Sequence, residues 1–102
     1  MRNARFVAAA RQEFLVEIAF YTEAKSSPGL GLRFTTAVEE AAARALAFPF
    51  SGSPSVANTR RVLVKGFPFS IFYRPEGDGI VIFAISHQSR RPGYWVARTA
   101  DR

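Results

Sequence analysis

The sequence predicts a single α+β domain over residues 1–102, in the order strand, helix, helix and three strands. Three observations predict it. Apolar residues recur every three or four positions as far as Pro49, and every second position after Asn58. A stretch rich in Ser, Pro and Gly, residues 50–58, separates the two regimes. The 102 residues are 48% hydrophobic, with ten Phe, three Tyr and one Trp, which fills one core and is too little for two.

Residues 5–8 have extended character and predict a short edge strand. From Ala9, Phe14, Ile18 and Tyr21 or Thr22 fall at helical spacing with Leu15 alongside. Arg11, Glu13, Glu17 and Lys25 supply the polar side of this helix of roughly four turns. Ser26, Ser27, Pro28 and Gly29 break it, with Pro28 suited to the first turn of the next helix and a Ser before it as a cap. Leu30, Phe34, Ala37 or Val38, Ala41, Ala45 and Phe48 make a second apolar stripe, which Pro49 ends. The six Ala between Ala37 and Ala47 favour helix and permit close approach of a neighbour. The short link predicts an antiparallel helical hairpin.

After a loop at 50–58 the period becomes two. Val62 and Val64 alternate with Arg61, Leu63 and Lys65. A strand from Phe69 to Arg74 turns through Glu76, Gly77, Asp78 and Gly79 into a strand from Ile80 to His87. There, Ile80, Ile82 and Ala84 are expected on one face and Val81, Phe83, Ile85 and His87 on the other. Both faces are apolar, so this strand should be central and covered on both sides.

Composition narrows the function. The chain carries 14 Lys and Arg against 8 Asp and Glu, a net charge of +6. Residues 1–55 contribute +1 and residues 56–102 contribute +5, so an anionic partner should dock on the C-terminal half. The absence of Cys rules out disulfides, thiolate metal sites and a thiol nucleophile. His87 is the one histidine, which leaves no multi-histidine metal site, and no cofactor is expected. Apart from Glu76, Asp78 and Asp101, every carboxylate lies on the two helices, which argues against a paired-carboxylate hydrolase. Gly29-Leu30-Gly31 lacks the preceding strand and following Lys of a phosphate loop. The apolar run Phe6 to Ala10 is too short for a signal peptide and nothing is long enough to cross a membrane, so a cytoplasmic location is expected.

The last third carries a specific pattern. Phe67-Pro68-Phe69-Ser70-Ile71-Phe72-Tyr73 precedes the hairpin, and Ala84-Ile85-Ser86-His87 is followed by Arg90, Pro92, Trp95 and Arg98. The spacing H-x-x-R-x-P-x-x-W-x-x-R resembles the C-terminal signature of ParE-like toxins of the RelE/ParE superfamily. Ala10, Glu13, Phe14, Ile18 and Tyr21 are similar to that family's first helix, and Gly31, Arg33, Phe34, Val38 and Pro49 to its second. The resemblance spans nearly the whole chain. It implies a toxin of a type II toxin–antitoxin pair, often called a plasmid stabilisation protein. The implied fold is a helical hairpin packed on a twisted antiparallel sheet with a short C-terminal segment. The implied partner is a cognate antitoxin, and a basic toxin suits an acidic antitoxin tail in a hetero-oligomer.

The resemblance leaves two mechanisms open. ParE-like members are associated with poisoning of DNA gyrase; RelE-like members cut messenger RNA on the ribosome. Metal-independent RNA cleavage needs a base, an acid and cations for the phosphate. Its candidates here are His87, Arg61, Lys65 and Arg90. Histidine is the side-chain type that titrates near neutrality, yet His87 lacks an obvious partner carboxylate and better suits a hydrogen-bonded structural position. Arg60, Arg74, Arg91, Tyr94 and Arg98 are candidates for contacting a target or the antitoxin. Tyr94 or Trp95 could stack on a base, while Pro92 and Trp95 suit packing of the C-terminal segment on the sheet. A third reading is a basic domain that only binds its antitoxin.

Overall fold

The computed structural model describes residues 2–24 and 28–100. The chain runs β1 (Ala4–Phe6), α1 (Ala8–Ala19), a π turn (Phe20–Ala24), α2 (Pro28–Ala47), β2 (Ser53–Ser55), β3 (Thr59–Val64), β4 (Phe69–Glu76) and β5 (Gly79–His87). Two 3-10 turns, Val56–Asn58 and Val96–Thr99, complete it. The α+β order expected from the period change is present, and α2 begins at Pro28. The Ser27 cap lies outside the described residues. Among the described residues, no helix is long and apolar enough to cross a membrane.

The five strands are ordered β1-β5-β4-β3-β2. The β2–β3, β3–β4 and β4–β5 pairs are antiparallel, whereas β1 runs parallel to β5, with Ala4 opposite Ile80 and Phe6 opposite Ile82. The sheet is therefore mixed at one edge. The segment expected to be only loop, 50–58, holds the edge strand β2. Its Ser-Pro-Ser sequence has no apolar alternation to announce a strand, and Pro is tolerated there because an edge strand leaves N–H groups unpaired.

The helices cover one face of the sheet. Phe34, Val38, Ala41 and Ala45 of α2 pack with Ile71, Tyr73, Ile80, Ile82 and Ile85, and Phe14, Ile18 and Tyr21 close the layer. Each fully buried Phe or Ile there stabilises the fold by about 1.5–3 kcal/mol. Phe48, expected to end the α2 stripe, lies past the last helical turn and is 68% exposed. Tyr73 fixes the chain just beyond it: its hydroxyl donates to the Pro49 carbonyl at 2.9 Å and accepts from the Gly52 N–H at 3.2 Å. A Cβ at Gly52 would meet that same hydroxyl, so only glycine fits.

One irregularity redistributes β5. Tyr73 faces Ile82 but Phe72 faces Ala84, so Phe83 is an extra residue in β5. Beyond it the alternation inverts. Ile85 joins Ile80 and Ile82 on the helix side, while Ala84 joins Val81 and Phe83 on the other. This corrects the expected faces, since a one-residue bulge moves every later side chain across the sheet. Both faces of β5 are nevertheless covered. The second is closed by Trp95, which stacks on Phe72 at 4.5 Å between centroids.

Candidate functional site: a basic pocket held by a carboxylate clamp

The short length of β1 sets up the site. Beyond Ile82, β5 has no strand beside it on that edge. Two side chains take the strand's place. A Glu13 carboxylate oxygen on α1 accepts the Ile85 N–H at 3.1 Å. The Arg98 guanidinium donates to the Phe83 carbonyl at 2.9 Å. The same two groups pair with each other through bonds of 2.9 and 3.0 Å. The paired side chains are 16% and 23% exposed for Glu13 and Arg98, so the ion pair is largely desolvated. The Tyr94 hydroxyl donates to the second Glu13 oxygen at 2.5 Å. One carboxylate thus ties α1, the edge of β5 and the C-terminal segment together.

The clamp perturbs Tyr94 and Arg98. Burial, then the hydrogen bond and charge of Glu13, push the Tyr94 phenol up from 10.0 to about 12. The hydrogen bond to Glu13 also raises Arg98 against the opposing effect of burial. The native state therefore holds the Tyr94 proton more tightly than the unfolded chain does. Stability should be intact below about pH 10 and fall as pH rises towards 12. Urea unfolding across that window should show a falling midpoint, and Tyr94→Phe should flatten the decline relative to the parent protein.

The Tyr94 ring in turn carries Arg90, whose guanidinium carbon lies 3.8 Å from the ring centroid. Arg90 borders a pocket of about 270 Å³ on the sheet face away from the helices. Arg61 of β3 also lines it, with Ser70, Phe72, Ser86, His87 and Trp95 among the other walls. Arg61 and Arg90, candidates from the sequence, are therefore brought to one pocket, and His87 lines it while its ring turns to Phe69. Lys65 is not among them. It follows the end of β3 and lines a separate groove with Leu30, Arg33 and Phe67, so the face it was expected to share with Arg61 is broken by the turn.

His87 has a defined role within the fold. Its ring meets Phe69 edge-on at 5.0 Å between centroids. Its Nδ1 accepts the Ser89 N–H at 3.0 Å, with the Ser89 hydroxyl 2.8 Å away. With the Ser89 N–H as donor, Nδ1 is the accepting nitrogen of the ring. Trp95 is 1% exposed and cannot accept a stacked base without leaving Phe72.

Several docking candidates have partners inside the chain. Arg60 donates to the Phe50 and Gly52 carbonyls, both at 2.8 Å. Arg74 donates to the Ala57 and Asn58 carbonyls at 2.5 and 3.1 Å. Those two residues have φ of 59° and 56°, a left-handed pair that turns both carbonyls to one guanidinium. Arg98 belongs to the clamp, and Arg91, next to Arg90 in the chain, is exposed.

Sequence reasoning assigned no partner to Glu13 and did not single out Ser70 or Ser86. A signal existed for the serines, as each interrupts an otherwise apolar strand. Glu13 had no local signal, because its partners are up to 85 residues away.

Comparison with known proteins agrees with this architecture. A chain of the chromosomal ParDE toxin–antitoxin system from P. aeruginosa superposes with a TM-score of 0.72. The match covers 85% of this chain and 96% of that one at 22% identity, which is a likeness of fold. No curated protein matches the sequence. The family model described as the ParE toxin of the type II toxin–antitoxin system, parDE, matches residues 6–92. With its signature helix and C-terminal motif built into one clamp and pocket, the chain belongs to the ParE toxin family of type II toxin–antitoxin systems.

Proposed function

We propose that the protein arrests growth by binding an essential partner protein in the cytoplasm, DNA gyrase first, and that a cognate acidic antitoxin neutralises it in a hetero-oligomer. The observation that carries the non-enzymatic reading is the state of the titratable groups around the basic pocket. His87 has its Nδ1 engaged by Ser89, the Tyr94 phenol donates to Glu13, and Glu13 is paired with Arg98. RNA cleavage by this pocket needs a group free to take the 2′-hydroxyl proton, and these three are committed elsewhere. Lys65, another member of the candidate nuclease set, lines a separate groove. What remains is a preorganised basic surface, which serves recognition.

Pulse-labelling after induction of the protein alone tests the reading. An early fall in thymidine incorporation, with amino-acid incorporation intact in the first minutes, is the expected result. A prompt fall in protein synthesis with DNA synthesis intact would instead establish the messenger RNA endonuclease. No change in either would leave a domain that only binds its antitoxin.

A further inference from the structure

The pocket between Arg61 and Arg90 has the chemistry of a seat for one oxyanion. Arg61 is exposed, and its side chain has no hydrogen-bond or ion-pair partner among the described residues. Arg90 lies face-on to Tyr94, which leaves the N–H edge of its guanidinium for an acceptor. That ring is itself fixed by Glu13, so Arg90 is positioned by α1 through Tyr94 before any ligand arrives. Ser70 and Ser86 line the same pocket, the Ser86 hydroxyl already donating to the His87 carbonyl at 3.4 Å.

The surroundings favour a peptide over a nucleic acid. The aromatic groups at the pocket are taken: Trp95 is buried against Phe72, and Tyr94 is covered by Arg90. A nucleotide would find cations but little free stacking face, since Phe72, the partly exposed ring in the pocket, is already stacked on Trp95. A peptide finds something else. Leu63, two residues beyond Arg61 on β3 and opposite Ser70, is 52% exposed. Residues two apart on a strand share a face about 7 Å apart, the spacing of alternate side chains in an extended peptide.

We propose that this pocket binds the carboxylate of an acidic residue in an extended segment of the antitoxin, held between Arg61 and Arg90, with an apolar side chain two positions away resting on Leu63. The inference rests on the toxin–antitoxin reading and adds the recognition pattern acidic-x-apolar.

Fluorescence anisotropy with a labelled peptide containing Glu-Thr-Leu tests it. The Gln-Thr-Leu peptide, Arg61→Gln and Arg90→Gln are each expected to weaken binding at least about tenfold. The thermal midpoint of Arg61→Gln should match the parent, and that of Arg90→Gln, which gives up the contact with Tyr94, should fall by no more than about 4–8 °C. Binding that is absent at millimolar peptide, or unchanged in both variants, overturns the proposal. Tighter binding of a short oligothymidine through the same arginines also overturns it, in favour of nucleic acid. The cognate antitoxin separates this inference from the reading beneath it. If growth arrest persists and antitoxin binds the double variant as tightly as the parent, the pocket proposal fails and the toxin reading stands. A chain that neither arrests growth nor binds antitoxin removes both.

Discussion

Glu13→Ala is expected to destabilise the protein by about 3 kcal/mol, near the lower end for breaking a buried pair because both partners keep some exposure. The substitution strands the Arg98 charge, the Ile85 N–H and the Tyr94 hydroxyl together. Arg98→Ala should have a comparable effect by stranding Glu13 and the Phe83 carbonyl. In a double-mutant cycle read by urea midpoints, the combined loss should fall short of the sum by about 1–3 kcal/mol, because both changes act on one interaction. An apolar replacement, Glu13→Leu with Arg98→Met, distinguishes an ordinary ion pair from the clamp described here. A simple buried pair is often replaced at little cost. This one also completes the β5 ladder, so the double replacement should remain destabilised by about 1–3 kcal/mol, the penalty for unpaired backbone groups. Full additivity in the cycle would mean that Glu13 and Arg98 act separately.

Trp95→Ala should lose about 3–5 kcal/mol, the range for truncating a buried Trp or Phe. A domain of this size has about 5–15 kcal/mol in total. The indole is 1% exposed, and its stacking on Phe72 seals Val81, Phe83 and Ala84 from water. Its loss uncovers the second face of β5 and loosens the segment that carries Tyr94 and Arg98. Trypsin under native conditions should then cut after Arg90 or Arg98 far faster than in the parent protein. Unfolding without faster cleavage at those sites would mean that the segment is held by the clamp alone. Phe at this position should recover part of the loss, since it keeps an aromatic face against Phe72.

The two helices, β3 to β5 and the order of the elements were legible in the residues, because period and turn chemistry are imposed by local backbone geometry. Phe14, Ile18 and Phe34 reached the core they were expected to fill. Arg90 and His87, close in the C-terminal motif, line one pocket, and the antiparallel sheet adds Arg61 of β3 to it. Other features had no local cause to read. Ser53–Ser55 became a strand because β3 offered it an edge. The extra residue at Phe83 reversed the faces of β5, and Lys65 left the Arg61 face because the strand ended at Val64.

By itself the sequence determined the α+β order, the basic C-terminal half and the family pattern, all properties of neighbouring residues or of composition. Only the tertiary structure decided what Glu13 does. Its carboxylate meets Arg98 across 85 residues because β1 is too short to cover β5, and the exposed N–H and carbonyl of that edge demanded partners.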